Sequence, residues 1–228
     1  MRSKIALVLA SILLLTGTAF ADSFTLRSPQ VNFGTSSDGS SAYLWLNTST
    51  IGGPWVGYTE AEFKSEQIWS ESWYANADVM STLVLEIAGN SGSNAFGIYD
   101  LSNPSSRTQI FAGSASAPTT VTINVPYTLF GFYLQGPGGT FFSQDGLNSG
   151  AAAQMIAYYS LNNSKYSGTD KEFLLAWEDL VLAGADRDYN DLVVRVKGAS
   201  PVPEPISMLL FGTGLIGVGG YVRRKLKS

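Results

Sequence analysis

With 228 residues, 45% of them hydrophobic and 12% aromatic, the chain has material for one sizeable core and is too apolar to be disordered. It contains no Cys and no His, which removes disulfides, thiol chemistry, Ser-His catalysis and the commonest zinc ligand together. Residues 22–198 carry eight basic and seventeen acidic side chains, a net charge near −9, so this stretch attracts cations and repels polyanions, and no nucleic-acid partner is expected.

The chain opens with the three parts of a secretory signal. Arg2 and Lys4 give a positive start, residues 5–15 form an apolar stretch, and Ala19-Phe20-Ala21 offers a small-residue cleavage point before Asp22. Eleven helical residues span roughly 16 Å, about half a bilayer core, which is too short for a permanent anchor. Residues 1–21 are therefore expected to be a cleaved signal peptide.

From residue 22 onward the composition is turn-rich and poor in charge. There are 24 Gly and 9 Pro, and charged residues make up 14% against roughly 25% in an average soluble domain. Strands are expected at 23–27, 43–46, 79–88, 95–99, 119–125, 130–134, 154–159, 172–177 and 191–196, where β-branched and aromatic residues run or alternate. In 119–125, for example, Val121, Ile123 and Val125 share one face while Thr120, Thr122 and Asn124 take the other. Turn formers punctuate these runs at 89–92, at Asn103-Pro104 and at 136–139. One helix interrupts them: Thr59-Glu60-Ala61-Glu62 has the form of a capping box opening a short helix to about Ser70. The pattern predicts an all-β fold, a single β-sandwich or jelly-roll-like domain over 22–198 with one short helix.

The densest chemistry lies between the last two expected strands. Glu178, Asp179, Asp186, Asp188, Asn190 and Asp191 place six oxygen-bearing side chains within fourteen residues. Their mutual repulsion is costly unless they stay solvated, disperse or gather around a cation. Asp186, Asp188 and Asn190 have the i, i+2, i+4 spacing with which calcium loops wrap an ion, and an oxygen-only set suits a hard cation. It is not an EF-hand: that loop wants Gly sixth and Glu twelfth, where this chain has Asp191 and Lys197. Two readings stand side by side. In one, Ca2+ is bound, with Glu178 or Asp179 supplying the distant ligand; in the other, the Asp and Asn side chains cap backbone amides of a turn.

The runs 173–180 and 186–194 resemble the closing motif of the DUF4114 family, and residues 94–100, 130–134 and 141–144 fit its earlier strands. The resemblance covers roughly 94–197. It implies a β-domain found on exported proteins and supplies no activity.

After a Pro-rich linker at 199–205 comes a seventeen-residue uncharged apolar run, 206–222, and then a basic cluster at 223–228. As a helix the run extends about 26 Å, at the short end of what spans a bilayer. It is apolar all round, unlike an amphipathic core helix. The basic end marks the cytoplasmic side, which puts the domain outside. Pro203-Glu204-Pro205, the apolar run and Arg223-Arg224 in this order resemble the PEP-CTERM sorting signal. That resemblance implies a Gram-negative host and an exosortase that recognises and cleaves the tail. The chain would be held transiently in the inner membrane, then delivered to the cell surface or extracellular matrix, where exopolysaccharide is a candidate partner.

Other constellations are weaker. Glu60, Glu62, Glu66 and Glu71 are more simply a solvated helix face than a catalytic pair, and the tryptophans at 45, 55, 69, 73 and 177 more simply core than a sugar platform. The leading expectation is a non-enzymatic surface or matrix protein with a structural or adhesive β-domain, calcium-stabilised if the acidic loop takes an ion. A carboxylate-dependent glycan-active enzyme and a lectin-like exopolysaccharide binder are the competing classes.

Overall fold

Residues 59–85, 91–113, 115–159 and 172–202 are described by the computed structural model, and all belong to one compact unit, Leu26–Val202. The expected strands at 23–27 and 43–46, the signal segment and residues 203–228 lie outside the described residues.

The first described element is the short helix α1 (Glu60–Ser65), and the capping box opens it as expected. The Thr59 hydroxyl accepts from the Glu62 amide at 3.3 Å, and the Glu62 carboxylate accepts from the Thr59 amide at 2.7 Å, which satisfies two of the donors a helix start leaves free. The helix ends about a turn and a half before the expected Ser70. Phe63 stacks on Tyr158 at 4.1 Å, and Gln67–Ile68 then leaves as strand β1 to pair with the strand that holds Tyr158. Tertiary pairing overrides the local helical pattern here.

Nine further strands follow among the described residues: β2 (Trp73–Leu85), β3 (Ala95–Asp100), β4 (Asn103–Phe111), β5 (Thr119–Ile123), β6 (Phe130–Gly136), β7 (Gly139–Phe142), β8 (Met155–Tyr159), β9 (Glu172–Trp177) and β10 (Leu192–Pro201). Every pairing is antiparallel, in the order β1-β8-β9-β10-β2-β6-β3-β4, with β5 also on β2 and β7 also on β6. The all-β expectation holds.

Ring contacts show how this sheet makes a core. β9 and β3 are four strand steps apart, about 19 Å in a flat sheet, yet Trp177 of β9 and Phe96 of β3 meet with ring centroids 6.2 Å apart. The sheet therefore folds over, and its β8-β9-β10 half faces its β6-β3-β4 half. The fold line is β2. Its Trp73 is fully buried and sits edge-on to Phe132 of β6 at 5.4 Å and to Phe173 of β9 at 5.1 Å. Such edge-to-face pairs add to the burial energy of the rings themselves.

Three segments differ from expectation for identifiable reasons. Asn103-Pro104 opens β4 rather than making the turn, because the Asp100 carboxylate closes the chain two residues earlier by accepting from the Ser102 amide at 2.8 Å. Pro104 is tolerated because, among the described residues, β4 ends the strand order and pairs on one side only. β2 starts at Trp73, six residues before the expected Val79. Lastly, β10 runs through Gly198 to Pro201, so residues 199–201 are strand rather than linker. A register shift between Lys197 and Ala199 marks a bulge there. Gly198 has φ +79°, and a Cβ on it would lie 2.3 Å from the Asp78 carbonyl oxygen, so only glycine fits.

Candidate metal centre

Trp177 of β9 pairs with Leu192 of β10, so residues 178–191 form a fourteen-residue loop with Glu178 first and Asp191 last. Hairpin loops more commonly take two to five residues, and the extra length here holds the six acidic and amide side chains.

Buried side chains tie the loop down. Tyr189 is 1% exposed, and its hydroxyl donates to the Ala153 carbonyl at 2.7 Å. Gln154, also buried, braces the other arm: its amide nitrogen donates to the Leu180 carbonyl at 2.7 Å, and its amide oxygen accepts from the Leu182 amide at 3.2 Å. Arg187 and Tyr189 take left-handed backbone angles, φ 63° and 55°, uncommon for residues other than Gly. They alternate with Asp186, Asp188 and Asn190 along the chain.

Glu178 is the pivot. Its Oε1 accepts the Tyr189 amide at 2.6 Å, while its Oε2 is buried with no hydrogen-bond partner among the described residues. One carboxylate oxygen from each of Glu178, Asp186 and Asp188 falls within 4.8 Å of the other two. That spread is what ligands about 2.3–2.6 Å from a single calcium ion allow. Asn190 braces this group: its backbone amide donates to Asp188 Oδ1 at 3.1 Å and its side-chain amide to Oδ2 at 2.6 Å. Buried Glu172 shows the alternative, since its charge is met by Arg195 Nε at 2.5 Å and Lys197 Nζ at 3.1 Å.

Asp179 and Asp191 form a separate pair. The Asp179 amide donates to Asp191 Oδ2 at 2.9 Å, and Asp179 Oδ2 accepts from the Asn94 side chain at 3.1 Å. Burial is the main cause of upward pKa shifts across the loop. It pushes Glu178 up to about 8 and Asp191 up to about 7, with neighbouring carboxylates adding to both, and it raises Asp179 as well.

The six residues nominated from sequence thus divide: Glu178, Asp186 and Asp188 converge, Asn190 holds Asp188, and Asp179 faces Asp191. Asn94 and Gln154 lie far away in sequence, and nothing local signals their part. The sorting residues Pro203, Glu204, Pro205, Arg223 and Arg224, and the cleavage residues Ala19 and Ala21, lie outside the described residues. Trp73 and Trp177 are fully buried core residues and present no face to a sugar, Glu62 is engaged in the helix cap, and Glu66 is buried. Trp45 and Trp55 are outside the described residues.

Two family models match the chain. Residues 110–199 match the domain of unknown function DUF4114, and residues 201–225 match the PEP-CTERM protein-sorting motif. The chain carries a DUF4114 domain followed directly by a PEP-CTERM motif. No curated protein matches it. The DUF4114 match starts at Ile110, near the end of β4, rather than at 94, and it takes in β5 to β9, the whole acidic loop and β10 as far as Ala199. The PEP-CTERM motif makes this an exported protein, sorted by an exosortase through a membrane-anchored tail to the surface or exterior of a Gram-negative cell.

Proposed function

We propose that the DUF4114 domain of this PEP-CTERM protein is a calcium-stabilised structural module, and that the protein serves a structural or adhesive role in the cell surface or extracellular matrix rather than a catalytic one. The observation that carries the reading is Glu178, a buried carboxylate with one oxygen unpartnered, set against Asp186 and Asp188 with their oxygens within 4.8 Å. An uncompensated carboxylate is expensive to bury. A hard divalent cation offsets that cost, draws only on oxygen ligands and is available outside the cell. Once bound, the ion would tie the first residue of the loop to its far arm, so that burial of the loop no longer depends on protonation. A protein exported without cysteines would thereby gain a crosslink that folding alone can make.

The test is thermal unfolding of the purified full chain in detergent, with calcium and with chelator. At a hundredfold excess over Kd, calcium should stabilise the fold by about 2.7 kcal/mol. Asp188→Ala should remove this site's share of the gain. An unchanged melting temperature in the wild type, or the same gain in the variant, would remove the site.

A further inference from the structure

We propose that Asp179, Asp191 and Asn94 form a second calcium site, separate from the one at Glu178, Asp186 and Asp188. The argument begins with alternation at the end of β9. Successive side chains on an extended strand point to opposite sides. Trp177 points toward the β3 half of the sandwich, where it meets Phe96. Asp179, two residues on, points the same way and meets Asn94, two residues before Phe96. Glu178, between them, turns instead to the Tyr189 amide. The far arm divides in the same manner, Asp188 going with Glu178 and Asp191 with Asp179. One run of acids therefore supplies two places.

The second place has its own mark of a missing ligand. Asn94 is 2% exposed, and its Oδ1 is buried with no hydrogen-bond partner among the described residues. The amide that donates to Asp179 carries this oxygen on the same planar carbon, so the orphaned acceptor lies beside the carboxylate pair. A proton shared between Asp179 and Asp191 would neutralise the pair but leave Asn94 Oδ1 unsatisfied. A cation takes oxygens from all three. Gly136, at the end of β6, keeps the space beside them open: a Cβ there would lie 3.0 Å from Asn94 Oδ1 and 3.0 Å from the Asp179 carbonyl oxygen. The ligands are oxygen only, which selects calcium over a transition metal. An ion here would join the end of β9 to the segment entering β3, across the two halves of the sandwich.

This inference rests on the reading of the acidic loop as a calcium loop only for the identity of the ion, and counting ions separates the two. Calcium bound per full-length chain in detergent is measured by equilibrium dialysis. The wild type should bind two, Asp188→Asn one and Asp191→Asn one. Asp191→Asn keeps an acceptor for the Asp179 amide, which favours folding. One ion in the wild type, lost in Asp188→Asn, would overturn the second site and leave the first. One ion lost only in Asp191→Asn would retain the second and remove the first. No bound ion, or two ions in Asp191→Asn, would overturn the proposal. Asn94→Asp gives an independent readout. With a cation present the added carboxylate is a ligand, so calcium should raise its melting temperature by more than it raises that of the wild type, and chelator should unfold it first. An equally low melting temperature in both conditions would overturn the site.

Discussion

The Glu178 carboxylate and the Tyr189 amide, eleven residues apart, meet at 2.6 Å, and this bond fixes which way the buried acid faces. Without a cation the acid must be protonated to stay buried, and so stability should depend on pH. In the folded chain Glu178 is pushed up to about 8 from 4.5 and Asp191 up to about 7 from 3.8, in both cases mainly by burial. Between the paired values the native state holds more protons than the unfolded state, so unfolding free energy falls as pH rises. The benefit is complete below about pH 4 and lost as pH climbs through 7 and 8. Exposed Glu62 and half-buried Asp100, whose pKa values are lowered by hydrogen bonds, act below this window. Urea midpoints measured in chelator should therefore decline from pH 5 to pH 8. In calcium the decline should flatten, with weaker ion binding at pH 5 because protons compete for the ligands.

Tyr189→Phe should loosen the loop without emptying the core. It removes the 2.7 Å bond to the Ala153 carbonyl and keeps the ring. A loss of about 1–2 kcal/mol is expected from denaturant melts, the usual size for a partly buried hydrogen bond whose acceptor is left behind.

Trp177 separates packing from hydrogen bonding. Its indole N–H is buried with no hydrogen-bond partner among the described residues, so Trp177→Phe gives up volume but no bond. Trp177→Ala opens the interface with Phe96 and should cost about 3–5 kcal/mol. The Phe variant should lose less than half of that, as measured by equilibrium unfolding.

Gly198→Ala tests the bulge that lets β10 continue. The new methyl would collide with the Asp78 carbonyl at 2.3 Å, on a backbone already at φ +79°. The expected cost is about 2 kcal/mol or more, with slowed amide exchange lost first at Ala199 and Ser200.

Glu204→Ala should leave the β-domain untouched and interrupt sorting, because Glu204 lies in the PEP-CTERM motif at 201–225. Immunoblots of host fractions should show unprocessed chain retained in the membrane and a matching loss from the surface.

How much of this could be read from sequence depended on where the information sat. The capping box at Thr59 and Glu62 was legible because both partners lie within four residues, whereas the early end of α1 depends on Tyr158, nearly a hundred residues away. β4 was missed because Ser105, Arg107 and Gln109 give it a solvated face and Pro104 reads as a turn, features an edge strand accepts. The start of β2 was missed because its apolar anchor, Trp73, is followed by Tyr74 and Ala75, whose partners Ser200 and Ala199 lie at the far end of β10. At the site, residue types and spacing nominated the acids as a group. Their division into two sets was not legible, since it follows from strand-end alternation and from Asn94, which approaches from the opposite half of the sandwich.

The path of β10 has a mechanical consequence. This strand leads directly into the PEP-CTERM tail, and over Leu192–Lys197 it is flanked by β9 on one side and β2 on the other. A pull directed along β10 from its C-terminal end would meet the pairing of 199–201 with β2 first. Over Leu192–Lys197 it would then load hydrogen bonds on both sides in shear at once, instead of peeling one strand away bond by bond.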